Sequence, residues 1–355
     1  MPDRDDAPTA DEPAAPAHHR PGGGFRNPGT AGGERHGIGR FLKWVLVDRL
    51  TTRRAPDPPA TAFPRMTPDF PSPRAQRDRL TLTWIGHSTF LLQVGGWNIL
   101  TDPVWSSRAS PVRFAGPRRR TAPGIALDAL PPIDLVLLSH DHYDHLDSRT
   151  VRQLTTDHPH ATWVAPLGVG DWLRAHGARA VAESDWWGEL PLSPPTDLSM
   201  SPLRLTSVPA QHFSGRTLRS RNSTLWCGWT IRTTDHAVLF AGDTGRHAQW
   251  ETIGHRLGPF DLVLMPIGAY EPRWFMQAVH VNPDEAVECF TEVSGANGVA
   301  PGRQGPVMAA MHWGTFKLTD EPLDEPPRRA RDAWARAGLP QDMLWVLAHG
   351  ETRSL

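Results

Sequence analysis

The sequence predicts an α+β protein, with sheets covered by helices and a disordered N-terminal extension. Three observations predict it. Apolar, strand-like runs recur from Leu80 onward: LTWIGHSTFLLQV, WNILTDP, IDLVLLSH, ATWVAP, LRLTSVPAQH, STLWCGWTIR, HAVLFAGDTG, DLVLMPIG, PVMAAMHWG and MLWVLAHG. Helix-like segments stand between some of them, at Ser148–Thr155 and Pro283–Val293. The intervening turns are rich in Gly and Pro, as when many strands and fewer helices pack in layers.

The elements follow in chain order. Residues 1–36 are Pro, Gly, Ala and charge with almost no large apolar side chains. Such a segment buries too little surface to offset the entropy of ordering and is expected to be disordered. Residues 37–79 hold an apolar helix and a Pro-rich linker. In Ile38–Leu50, Phe41, Leu42, Val45 and Leu46 line one side of a helix, with Arg40, Lys43 and Arg49 elsewhere. That stretch is too short to cross a bilayer. It reads either as a helix packed on the domain or as an interfacial membrane helix. From Leu80 to the C-terminus the chain reads as one catalytic domain. Within it, Asn282 as N-cap, Pro283 at the first helical position, and then Asp284 and Glu285 mark a helix start.

Hydrophobic residues make up 39% and charged residues 21% of the 355, enough apolar content for a sizeable core, and the net charge of -1 gives no general attraction to nucleic acid. Two cysteines, Cys227 and Cys289, make no disulfide framework and fit a reducing compartment. The start of the chain is acidic and Pro-rich, unlike a signal peptide. A cytoplasmic location is expected, with peripheral contact at the inner face of the membrane.

The chemistry is carried by Ser139–Asp147, SHDHYDHLD, which follows the buried strand Ile133–Leu138. Three imidazoles and a carboxylate fall at His140, His142, Asp144 and His145. Neutral imidazole and carboxylate are the ligands zinc favours in catalytic sites. Alternate residues of an extended turn point the same way, so His140 and His142 can grip one ion, and Asp144 and His145, beyond the bend, a second. Three further strand ends supply ligand types: His212 in SVPAQHF, Asp243 in VLFAGDTG and His312 in VMAAMHWG. A carboxylate flanked by Gly242 and Gly245 can approach closely and bridge two cations. No G-x-S-x-G elbow or G-x-x-x-x-G-K-[ST] loop offers another chemistry.

The His-x-His-x-Asp-His motif resembles that of the metallo-β-lactamase-fold hydrolases. LTDPVWSSRASP, LPPIDLVLLSHDHYDHLD, FAGDTG, GPFDLVLMPIGAYEPRWFM and MHWGTF resemble the N-acylphosphatidylethanolamine-hydrolysing phospholipases D, a likeness running from about Leu80 to the C-terminus. The resemblance implies an αββα sandwich with metals at one edge where the two sheets meet. It implies two zinc ions per chain, the first on His140, His142 and His212, the second on Asp144, His145 and His312, with Asp243 bridging. The implied reaction is hydrolysis of a phospholipid phosphodiester to N-acylethanolamine and phosphatidic acid. Another phosphodiester or a lactone is the alternative substrate, and a non-catalytic metal- or lipid-binding protein the second alternative. The resemblance is compatible with a homodimer.

Asp144 and His280 are the candidate catalytic residues. His280, in QAVHVNPDE, precedes a helix and matches a His important for activity in the family, where it would contact phosphate or protonate the leaving oxygen. Val279 stands where the vertebrate members carry Gln. Asp102, in LTDP, is a candidate to hydrogen-bond the outer nitrogen of a metal-bound His. Arg113, Arg118, Arg119 and Arg120 form a basic patch, read either as a solvated loop or as attraction to lipid phosphates, with the last three as candidate substrate contacts. His87, in WIGHST, matches the family as a structural or outer residue.

Overall fold

In the computed structural model, the structure describes residues 15–28, 43, 56–194, 199–217, 219–295 and 305–355. The ten runs become strands. The first splits into β1 (Leu80–Gly86) and β2 (Thr89–Val94), because Gly86 and His87 turn the chain at positive φ. β3 (Trp97–Thr101), β4 (Leu135–Leu137), β5 (Thr162–Pro166) and β6 (Ala180–Ser184) follow. Next come β7 (Glu189–Leu192), β8 (Leu203–Val208), β9 (Gly228–Arg232), β10 (Ala237–Phe240), β11 (Leu262–Pro266), β12 (Val307–Met311), β13 (Leu344–Trp345) and β14 (Thr352–Ser354).

They form two sheets of seven strands, ordered β14-β1-β2-β3-β4-β5-β6 and β13-β12-β11-β10-β9-β8-β7. Each is antiparallel in one half and parallel in the other, changing over at β3 in the first and at β10 in the second. One core lies between the sheets, joining Leu82, Trp84 and Phe90 of the first to Leu205, Trp229 and Phe240 of the second. A second core covers the other face of the first sheet, where α1 (Ser148–Asp157) supplies Val151 and Leu154 and α2 (Gly170–Ala175) supplies Leu173. Against the second sheet pack Trp250 and Ile253 of α3 (Trp250–Leu257) and Phe290 of α5 (Pro283–Gly295). Trp334 of α6 (Glu325–Arg336) joins them, while the short α4 (Arg273–Met276) lies between β11 and α5. This is the expected αββα sandwich.

The predicted start of α5 closes reciprocally. Glu285 N–H donates to Asn282 Oδ1, and Asn282 N–H donates to Glu285 Oε2, both at 2.9 Å. Two unpaired backbone donors at the helix N-terminus are thereby satisfied.

The N-terminal expectation needs correction where the chain is described. Residues 15–28, placed in the disordered extension, fold back as a hook whose Phe25 is buried in the main core. Its composition is poor in apolar residues, but one phenylalanine and several polar ties hold it. Phe25 N–H donates to Asn222 O at 2.8 Å, and Asn27 Nδ2 donates to His212 O at 2.9 Å. The described part of the linker, from residue 56, also lies on the domain. Phe63 is buried, Asp57 accepts from Lys317 Nζ at 2.8 Å, and Arg74 pairs with Asp134. The remainder of residues 1–36, and the apolar helix of 38–50 apart from Lys43, lie outside the described residues.

Candidate metal centre

The ligand-type residues leave the carboxyl ends of strands from both sheets. Ser139 to His145 follow β4, His212 follows β8, Asp243 follows β10 and His312 follows β12. Cross-sheet bonds fix these ends together. Cys227 N–H donates to Ser139 O at 2.9 Å, and Trp229 Nε1 donates to Leu138 O at 2.8 Å.

Two sets result. In one, His142 Nδ1 lies 2.9 Å from His140 Nε2 and 3.2 Å from His212 Nε2. In the other, Asp144 Oδ2 lies 3.5 Å from His145 Nε2 and 3.6 Å from His312 Nε2. Asp243 Oδ2 stands between the sets. It is 3.1 Å from His145 Nε2 and 3.0 Å from His312 Nε2, and 4.0 Å and 3.9 Å from the Nε2 atoms of His140 and His212. Ligand atoms about 2.0–2.2 Å from a tetrahedral ion stand some 3.3–3.6 Å from each other; the contacts of the second set fall in that range, and those of the first lie slightly closer. His145 Nε2, His312 Nε2 and Asp243 Oδ1 are buried without any hydrogen-bond partner. Buried polar atoms are rarely left so, and the two Nε2 atoms, both close to Asp243 Oδ2, fit a bound cation.

The outer nitrogens are held. His212 Nδ1 donates to Val279 O at 2.9 Å, so the position that departs from the vertebrate pattern contributes through its backbone. His145 Nδ1 donates to Asp102 Oδ2 at 2.7 Å. Such partners set the tautomer and leave Nε2 bare for a metal.

The charges are already sorted without metal. Burial, with repulsion from neighbouring imidazoles, lowers His142 to about 3, and burial lowers His212 to about 4. Burial would also lower His312, but Asp243 and Asp144 raise it to about 9. His145 is likewise raised well above the usual value, because Asp243, Asp144 and Asp102 outweigh burial.

Local backbone geometry serves these positions. His87, Asp102 and His312 are non-glycine residues at positive φ, of 56°, 33° and 63°. Side chains adopt this region at a cost that the surrounding structure must hold, as at many functional sites. Gly242 (φ 63°) precedes Asp243, and a Cβ there would meet Cys227 O and Ser139 Cβ at 2.8 Å. The glycine therefore lets the end of β10 approach the end of β4 and the segment before β9 closely.

Other expected residues are placed as follows. His280 is buried, its ring 5.0 Å from that of His212 and 5.3 Å from that of His312, with Nδ1 unpartnered. Arg119 departs from the expected lipid-facing patch. Its guanidinium donates to Val104 O and Ser106 O and lies 4.7 Å over the Phe316 ring. Burial lowers it to about 10, and it acts as a structural tie rather than a substrate contact. Arg120 pairs with Asp57 at 3.7 Å, while Arg113 and Arg118 remain exposed.

One contributor escaped the sequence, and His87 was read there as a structural or outer residue without its partner. His87 Nε2 lies 2.9 Å from Asp144 Oδ2, and the residue joins Asp144, His145 and His312 in one cluster. Ser139 relays His140 Nδ1–H, at 2.8 Å, to Asp102. For His87 the hint was a histidine at a Gly-His turn after an apolar run; for Ser139, only its place before the first ligand.

Residues 97–313 match the family model described as the beta-lactamase superfamily domain. The chain is 39% identical over 280 residues to N-acyl-phosphatidylethanolamine-hydrolyzing phospholipase D 1 of Caenorhabditis elegans, covering 77% of this chain and 75% of that one. It is 42% identical over 294 residues to an uncharacterized protein of Mycobacterium tuberculosis, covering 82% and 72%. The solved structure of Igni18, a metallo hydrolase from Ignicoccus hospitalis, superposes with a TM-score of 0.56 at 23% identity over 78% of this chain and 98% of that one. The chain is a metallo-β-lactamase-fold hydrolase with a metal cofactor, and it belongs to the family that includes the N-acyl-phosphatidylethanolamine-hydrolysing phospholipases D.

Proposed function

We propose that this chain is a two-zinc phosphodiesterase that hydrolyses N-acylphosphatidylethanolamine to N-acylethanolamine and phosphatidic acid. The observation that carries the reading is Asp243 Oδ2, standing within 4.0 Å of imidazole nitrogens from both ligand sets. When bound, such ions polarise a phosphoryl oxygen and lower the pKa of a water between them toward ~7. His140, His142 and His212 would hold one ion, and Asp144, His145 and His312 the other, with Asp243 shared. His87 fixes Asp144 from outside the two sets. In the overall reaction the oxygen of water joins phosphorus, the bond from phosphorus to the ethanolamine oxygen breaks, and that oxygen takes up a proton.

His280 would meet a phosphate oxygen of the substrate. Burial holds its pKa well below the usual value, so it is neutral at pH 7 and donates one hydrogen bond without a spare proton. Of the two roles expected for it, phosphate contact therefore suits it better.

The lipid nature of the substrate draws support from the relative in Caenorhabditis elegans and from the surroundings of the site. Phe114 is 83% exposed between Arg113 and Arg118, in a loop tied to the centre through Arg119 and Phe316, which packs edge-on to His87. Trp274 is 37% exposed on α4, whose Arg273 donates to His280 O at 3.0 Å. An exposed aromatic beside cationic side chains suits an anionic bilayer surface. Among the described residues no helix is long and apolar enough to cross a membrane.

The test is hydrolysis of N-acylphosphatidylethanolamine vesicles by the zinc-loaded protein in water enriched with heavy oxygen. Attack on phosphorus places the label in phosphatidic acid. Label in the released alcohol overturns the mechanism, and inert vesicles alongside brisk lactone opening overturn the substrate.

A further inference from the structure

A second group of side chains of metal-ligand type, distinct from the seven above, lies where the N-terminal hook meets the end of β6. His18 and His19 are adjacent in the chain, and both aim Nε2 at one carboxylate. His18 Nε2 lies 2.6 Å from Asp185 Oδ1, and His19 Nε2 lies 2.8 Å from Asp185 Oδ2. One ligand atom from each residue falls within 4.8 Å of the other two. The arrangement is preset. His18 is 7% exposed and stacked on Trp186 at 4.2 Å and 23°, and His19 meets Phe25 edge-on at 5.1 Å. Trp186 N–H donates to Asp185 Oδ1 at 2.7 Å and fixes the carboxylate. The side chains of His19 and Asp185 are 30% and 29% exposed, which leaves one side open to water.

We propose that His18, His19 and Asp185 form a structural site for a zinc-class divalent ion that staples the hook to the domain. Two imidazoles and a carboxylate, with solvent filling the remaining position, are a donor set that zinc accepts. Without an ion each Nε2 stands at hydrogen-bond distance from Asp185, so coordination exchanges those two contacts for the ion and moves the ring proton of each His to Nδ1. Such a tie suits this segment. The described hook has no helix, only one isolated bridge between His19 and Phe25, and a tight turn through Gly22–Gly24 at positive φ. Its ligands are separated by more than 160 residues from their partner. A cross-link closing a loop of that length removes much conformational freedom from the unfolded chain, and metal binding there contributes directly to folding. The hook ends on Asn27, whose side chain bonds the backbone carbonyl of His212. The staple would thus steady one ligand of the catalytic centre, but its existence does not depend on the substrate proposed above.

The test uses the full chain equilibrated with Zn²⁺ against a competing chelator, with zinc per chain measured by elemental analysis. The background carries His142→Ala and Asp243→Ala, which disable the catalytic centre. His18→Ala/His19→Ala in that background is expected to bind one zinc ion fewer and to lose both the zinc-dependent rise in melting temperature and the zinc-dependent protection of the hook from trypsin. Asp185→Asn, which preserves shape and removes the charge, is expected to do the same and serves if the double variant fails to fold. Equal zinc content in the background and either folded variant overturns the site, as does zinc that the background gives up on gel filtration alone.

Discussion

His145 donates its outer N–H to Asp102 at 2.7 Å, and the same buried carboxylate reaches the other ligand set. Asp102 accepts Ser139 N–H at 2.7 Å and Ser139 Oγ–H at 2.5 Å, and that hydroxyl accepts His140 Nδ1–H at 2.8 Å. One carboxylate therefore orients a histidine in each set. Asp102→Ala is expected to lower metal retention and turnover together, by about 10–100-fold, the usual cost of losing such a partner. Zinc content and kcat measured on the same preparation check this, and normal values for both would remove Asp102 from the centre.

How much of this was legible in the sequence differs from residue to residue. Strand runs ending in His or Asp were readable because buried strands are near-continuous apolar segments, and the ligands sit just past them. The start of α5 was readable because its signals are local, in Asn282 to Glu285. Pairing between distant residues was not. Nothing near Asp144 in sequence points to His87, 57 positions away. Arg119 looked like its neighbours Arg118 and Arg120, yet tertiary packing alone turns it inward onto two carbonyls. The hook failed as an expectation because composition averages over a segment, whereas Phe25 and two histidines suffice to dock it.

Asp243→Asn is expected to abolish turnover almost wholly while the fold persists. An amide is nearly isosteric with the carboxylate but cannot offset repulsion between two dications. Retention of more than about a tenth of wild-type kcat, equivalent to only ~1.4 kcal/mol of barrier, would contradict sharing of this carboxylate.

Metal uptake is expected to release protons from one ligand set only. At pH 7.5 His312, raised to about 9, and His145, also raised, carry protons in the metal-free protein and must lose them to coordinate. His142 and His212, lowered to about 3 and about 4, are neutral at that pH and release none. Titration calorimetry in buffers of different ionisation enthalpy reads this directly. The expected release is about two protons from the ligands, in addition to any from the shared water, and the share of His312 falls as the pH rises through about 9. Zero release at pH 7.5 would refute the assignment.

The hook is expected to carry stability. Phe25→Ala removes a ring buried in the main core, at a cost of roughly 3 kcal/mol. At about 2–4 °C per kcal/mol for a larger domain, that lowers the melting temperature by some 6–12 °C. Deletion of residues 1–28 should do at least as much. An unchanged transition in both variants would show that the hook contributes nothing.

His280→Ala is expected to depress kcat while leaving metal content unchanged. The side chain is buried between the rings of His212 and His312 but bonds to neither, and its Nδ1 has no partner. Its backbone is fixed by Arg273, which donates to His280 O and pairs with Glu285 at 2.8 Å through both carboxylate oxygens. A donor held in this way costs little to orient, and loss of one donor to a charge that grows in the transition state typically lowers kcat by about a hundredfold. His280→Gln, which keeps an N–H, should recover part of that loss. Arg273→Ala, which leaves the His280 side chain in place, should lose less than His280→Ala. The pH profile separates this role from general acid catalysis. A protonated imidazole serving as acid would make kcat fall as pH rises through its pKa. Burial keeps His280 neutral throughout the neutral range, so His280→Ala should lower the whole profile without removing a limb from it. Loss of a descending limb, or loss of zinc from the variant, would overturn the assignment.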